Sequence, residues 1–117
     1  MAFPQYQNIA DALLCFIFLN GGNDHQVNAA QTYEPLADFF ALTQEDRNRP
    51  RPDGFGCTLW ENRVQWTRQR LINHGYAESR GHGEWGLTPE GVSRAKSIVG
   101  EFNRSKKPLK ALRTKAS

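Results

Sequence analysis

At 117 residues, with 38% apolar and 23% charged side chains, the chain has the make-up of one soluble globular domain with a modest core. Its longest apolar run, ALLCFIFL at residues 12–19, is too short to cross a bilayer and lacks the charged leader of a signal peptide, so it predicts a buried helix. The net charge of +3 divides unevenly: from Arg104 onward there are six bases and no acids, so residues 1–103 hold nine bases against twelve acids, a net of −3.

That division predicts a domain over residues 1–103 and a basic tail over 104–117, which its Pro108 and lack of acids mark as disordered. A net acidic body argues against nucleic-acid binding unless the charge is segregated. It is segregated, because residues 62–83 carry Arg63, Arg68, Arg70 and Arg80 against Glu78 alone. Cys15 and Cys57 fit no metal or redox spacing, which points to a reducing cytoplasm.

The first helix is expected from Pro4 or Gln5 to Asn20, with Ile9, Leu13, Phe16 and Ile17 on one face and a left-handed stop at Gly21-Gly22. NDHQV then turns, with a short extended pairing over residues 25–27. Asn28 is a good N-cap for a second helix, AAQTYEPLADFFAL, buried along Ala29, Tyr33, Leu36 and Phe40, which Pro35 bends or delays. Thr43 before QED caps a short helical turn. RNRPRPDGFG, residues 47–56, is a loop whose Arg47, Arg49 and Arg51 either reach a phosphate backbone or stay solvated.

A long helix follows from Thr58 to His74-Gly75. YAESRGHGEWGL predicts a two-stranded hairpin in which Tyr76 and Glu78, then Trp85 and Leu87, alternate. Thr88 and Pro89 open a last helix to about Phe102, buried along Val92, Ala95 and Val99. The fold class is therefore α+β, mainly α. Its order of helix, short strand, helix, helix, two-stranded wing and helix is that of a winged helix-turn-helix.

The functional interest lies in ENRVQWTRQRLINHGY, residues 61–76. Val64, Thr67 (or Arg68) and Leu71 form the packing stripe. The opposite side offers Asn62, Arg63, Gln65, Trp66, Gln69, Arg70 and Asn73, the side-chain types that read base edges. Trp66 falls at the boundary, either packing at the core's edge or projecting toward DNA, where an apolar ring suits a methylated base. Trp85 is expected in the core, and Trp60 is left open. Pro52-Asp53 has no acid-x-lysine partner and reads as a turn, while His25, His74 and His82 lack metal-ligand spacing. No catalytic grouping, cofactor or metal is expected.

The segments ENRVQWTRQRLINHGYAES and GHGEWGLTPEG resemble the N-terminal domain of Mrr-type restriction proteins. That pattern runs roughly N-R-V-x-W-A-R-x-x-L, a glycine, a hydrophobic pair, then R-G-x-W-x-I-T-x-x-G. The resemblance covers about residues 3–95, with GG and LADFFALTQEDR in order. It implies a winged-helix domain that binds double-stranded DNA and directs a nuclease to it. A more distant likeness is to the winged-helix domains of restriction enzymes that recognise N6-methyladenine.

Carried over, Asn62, Arg63, Trp66 and Arg70 lie on the recognition helix, and Arg80, His82 and Trp85 on the wing. Thr67 stands where the family usually has alanine; Glu84 and Gly86 stand where it often has basic or apolar residues. The expected DNA contacts are Asn62, Arg63, Trp66, Gln69, Arg70, Asn73, Arg80 and His82, with Arg80–Gly83 at the backbone. Any catalysis would come from a separate nuclease or regulatory protein. The expected setting is cytoplasmic, at the nucleoid when bound, with no membrane and with a homodimer left open. The alternatives are a protein-interaction winged helix or a small dimeric transcriptional regulator.

Overall fold

Residues 12–17, Ala-Leu-Leu-Cys-Phe-Ile, are each at most 1% exposed, so the middle of the first helix, α1 (Tyr6–Asn20), is buried on all sides. The apolar run predicts a buried helix, and the burial extends beyond the face marked by Ile9, Leu13, Phe16 and Ile17. A helix that is apolar all round needs neighbours in every direction, and the rest of the chain supplies them. The computed structural model describes residues 3–54, 56–105 and 109–113. Packed on α1 are β1 (Gln26–Asn28), α2 (Tyr33–Phe39), α4 (Leu59–Asn73), β3 (Glu84–Leu87) and α5 (Pro89–Arg104). The short α3 (Gln44–Asn48) and β2 (Ala77–Ser79) pack against α4.

Helix starts follow their caps. Thr58 and Glu61 make a reciprocal capping box at the head of α4, with Glu61 N donating to Thr58 Oγ1 at 3.2 Å and Thr58 N to Glu61 Oε1 at 2.9 Å. Thr43 caps α3 and Thr88 caps α5, with Pro89 in the first turn. Asn28 makes a box with Gln31, but what it opens is a 3-10 turn, Ala29–Gln31. Pro35 falls in the first turn of α2, where its missing N–H costs nothing. The proline delays the helix and does not bend it.

The left-handed residue after α1 is Gly22, at φ 65°, and Gly21 itself stays right-handed. Two residues of the expected loop, Arg47 and Asn48, complete α3. The loop's ends are tied by a bridge between Pro50 and Thr58 and by Leu59 N donating to Arg49 O at 2.9 Å. These ties fix where α4 begins.

The sheet is three-stranded and antiparallel in the order β1-β3-β2, with Val27 opposite Trp85 and Ala77 opposite Leu87. Its inward side on β2 is Ala77, whereas Glu78 is exposed. The expected alternation was therefore one residue out on that strand, because Tyr76 precedes the strand.

The expectation of a disordered tail does not hold at Leu109–Arg113. Leu109 and Leu112 are buried against α1 and α2, and Asn20 Nδ2 donates to Leu112 O at 2.6 Å. Two leucines three residues apart give this basic stretch an apolar side, which a charge count does not register. Arg104 belongs to α5. Residues 106–108 and 114–117 of the expected tail lie outside the described residues.

Two outcomes follow from the packing. An alanine Cβ at Gly91 would lie 1.9 Å from the carbonyl oxygen of Tyr76. Gly91→Ala should therefore lose about 1–3 kcal/mol in urea unfolding; an unchanged midpoint would show that the approach of α5 to the Tyr76 carbonyl is loose. Burial pushes the Cys15 thiol up to about 12, and Cys57 is only half-buried. A thiol reagent at pH 8 should modify Cys57 in the native protein and reach Cys15 only after denaturation, because the thiolate is the reactive form.

Candidate nucleic-acid interface

Helix α4 has two sides with separate duties. Trp60, Val64, Thr67 and Leu71 are buried, which places Thr67 and not Arg68 on the packing stripe. Trp60 is held further by its indole N–H, which donates to Tyr33 O at 2.9 Å. On the outer side lie Asn62, Gln65, Trp66, Gln69 and Asn73, which recur at helical spacing. Trp66 is 56% exposed, the one large apolar side chain so exposed among the described residues. Its ring belongs to the surface.

An open groove runs along this side, lined by Arg51, Asn62, Gln65, Trp66, Arg68 and Gln69. The amides are partly fixed within it. Gln65 Nε2 donates to the Tyr33 hydroxyl at 3.0 Å, and Gln69 Nε2 donates to Asn73 Oδ1 at 3.1 Å.

The arginines of α4 stand on its flanks. Arg63 and Arg70, two turns apart, hold their guanidinium carbons 4.9 and 4.1 Å from the ring centre of Tyr6, at the start of α1. Arg63 also lies 5.5 Å from the Phe3 ring. On the other flank, Arg68 sits 5.4 Å above the buried ring of Trp85. The Nε atoms of Arg63 and Arg68 are buried without a hydrogen-bond partner.

None of these three arginines makes an ion pair among the described residues, and in this they differ from Arg47, Arg49 and Arg51. Arg47 bridges Glu34 and Asp38 at 2.8 and 2.7 Å, Arg49 holds Asp46 at 2.9 Å and Arg51 holds Asp53 at 2.6 Å. The loop arginines thus have their charges matched inside the domain. Beyond Arg70, a smaller hollow is lined by Tyr6, Asp11, Arg70, His74, Tyr76 and Arg94. Burial holds the Asp11 carboxyl above the ordinary carboxylate range, and Gln7 donates to it at 3.0 Å.

The wing differs from expectation at Arg80. Its guanidinium pairs with Glu78 at 2.8 Å, donates to Leu87 O at 2.6 Å and donates to Asp24 O. Its side chain lies across Gly86, where any Cβ would collide with it at 2.4 Å. Arg80 therefore clamps the hairpin to the loop before β1 and does not point outward. His82 is exposed at the hairpin tip. Glu84 accepts from Gln26 Nε2 at 3.1 Å and Asn28 Nδ2 at 2.8 Å, which locks β3 to β1.

Of the expected contacts, the structure gathers Asn62, Trp66, Gln69 and Asn73 in one stripe and sets Arg63 and Arg70 beside it. Gln65, Arg68 and Arg51 join the groove without having been among them. Helical spacing already places Gln65 on the side of α4 opposite the packing stripe, although it was not counted among the contacts. Arg68 was hidden by being the alternative to Thr67 on the core stripe. Among the described residues no group of three or more His, Cys, Asp or Glu could hold a metal ion, and no helix is long and apolar enough to cross a membrane.

A short helix and tied loop leading into a long helix with a polar outer face, followed by an antiparallel hairpin, define a winged-helix domain. A sequence model described as the Mrr N-terminal domain matches residues 6–97, and the chain belongs to that family, which associates it with restriction systems. Comparison with curated proteins and with solved structures gave no match.

The two kinds of side chain should separate in stability measurements. Arg80→Gln removes charged hydrogen bonds from a partly buried clamp and should cost about 1–3 kcal/mol. Trp66→Ala, on the exposed face, should stay within about 0.5 kcal/mol of the parent. A neutral Arg80 variant would return that residue to the surface.

Proposed function

We propose that this domain binds double-stranded DNA through the outer face of α4 and contributes no catalysis of its own. The observation that carries the reading is that, among the described residues, Arg63, Arg68 and Arg70 have no ion-pair partner, whereas the loop and wing arginines are paired. Two guanidiniums stacked on Tyr6 repel each other, and a phosphate between or beside them relieves that repulsion. Seated in the major groove, α4 would bring its amide stripe to the base edges and its arginine flanks to the two backbones.

In this arrangement Arg63 and Arg70 position the helix and do not read guanine. The wing contributes little charge, since Arg80 is engaged and His82 stands alone at the tip. In a restriction setting, Trp66 supplies an apolar surface against which a base methyl group packs. Cleavage would fall to a separate nuclease that the domain brings to its site.

Fluorescence anisotropy on a labelled duplex tests the reading. Affinity should fall steeply between about 50 and 200 mM salt. Arg70→Ala should weaken binding to every sequence alike and reduce the salt slope by about 1. An absence of binding even at the lower salt would refute it. Matched duplexes with and without adenine or cytosine methylation then show whether Trp66 distinguishes modified DNA.

A further inference from the structure

We infer that the face α4 presents to DNA is built to read adenine–thymine pairs; this rests on the DNA-binding reading above and names the bases it selects. In the major groove adenine shows one acceptor and one donor, which a carboxamide matches atom for atom. Guanine shows two acceptors and needs two donors, as a guanidinium provides. Thymine adds an apolar methyl group, while cytosine shows an amino donor that suits a carboxylate.

The outer stripe of α4 consists of four carboxamides, Asn62, Gln65, Gln69 and Asn73, and the indole of Trp66. Arg51 and Arg68 line the groove beside it, but each is engaged, Arg51 with Asp53 and Arg68 over Trp85, while Arg63 and Arg70 are stacked on Tyr6. The nearest carboxylate on the helix, Glu61, is taken up by the backbone N–H of Thr58. The stripe thus has the chemistry for adenine and for a methyl group. On the stripe itself there is no carboxylate for cytosine, and the two guanidiniums at its edge are engaged elsewhere.

The geometry assigns roles within it. Asn62 and Trp66 are one turn apart on the same stripe and line the same groove. Among the described residues Asn62 makes no side-chain hydrogen bond, so both its amide atoms are available to an adenine edge. Trp66 beside it meets the methyl of a neighbouring thymine. The bond from Gln69 to Asn73 leaves Gln69 Oε1 and Asn73 Nδ2 as a second acceptor–donor pair. Gln65, anchored by Tyr33, keeps its oxygen as an acceptor.

Single-atom changes in the DNA test this directly. Anisotropy titrations of the full chain, at one salt concentration, compare four duplexes of equal length: G·C-rich, A·T-rich, A·T-rich with uracil for thymine, and A·T-rich with 7-deazaadenine for adenine. The last two alter only the major-groove edges. The A·T-rich duplex should bind about tenfold or more tighter than the G·C-rich one. Uracil should weaken binding about three- to fivefold, the value of one buried methyl group, and 7-deazaadenine about fivefold or more.

Trp66→Ala should abolish the uracil effect and keep the deazaadenine effect; Asn62→Ala should reduce the deazaadenine effect and keep the uracil one. Salt-dependent binding that is equal on all four duplexes leaves DNA binding standing and overturns the inference. So does a G·C preference. An A·T preference that survives both base replacements marks readout of duplex shape and also overturns it. Failure to bind any duplex removes the DNA-binding reading itself, and the inference falls with it.

Discussion

The whole arrangement depends on burying the middle of α1 from every direction. Residues 12–17 offer no polar side to water, so α4, α5, α2 and the sheet must each lay an apolar strip against them. In doing so α1 provides seven of the 21 buried apolar side chains among the described residues, a third of the core. Helix α4 needs only four buried side chains, Trp60, Val64, Thr67 and Leu71, to be held in place. Its remaining surface is released from packing.

Charge follows the same division. The body of the chain is net acidic, yet its carboxylates sit with arginines that organise the frame: Glu34 and Asp38 on Arg47, Asp46 on Arg49, Glu78 on Arg80. Each of these pairs ties two neighbouring pieces of chain, and Arg80 fixes the hairpin's tilt against the loop before β1. The cations of α4 are supported by aromatic rings instead, by Tyr6, Phe3 and Trp85. An aromatic face holds a guanidinium in place without cancelling its charge. A total charge therefore says little about this surface; what matters is which partner each cation has.

Features set by a few adjacent residues were legible in the sequence. The caps at Asn28, Thr43, Thr58 and Thr88 are local hydrogen-bonding chemistry, and each appears where the residue types place it. The family pattern, the element order and the buried Trp85 were legible too. What the sequence hid depends on distant partners. The outward turn of Trp66 follows from Trp60 and Thr67 filling the space beneath α4. Arg80 has the same residue type as Arg63, and only the position of Asp24 and Leu87 turns it inward. The docking of Leu112 needed Asn20, ninety-two residues away. The parity of β2 turned on whether Tyr76 belongs to the strand, and strand ends are weakly encoded.

The separation of the two sides of α4 also bears on how such a domain diversifies. The residues that hold the helix and the residues that face outward are disjoint sets, joined only through the backbone and a few edge contacts such as Tyr33 with Gln65. Substitutions at Asn62, Trp66, Gln69 or Asn73 change the outer surface and leave the buried stripe untouched. Selection can then act on recognition without first securing extra stability. A lineage built on this frame is free to vary the outer face of α4 by point mutation while the buried stripe keeps the helix in place.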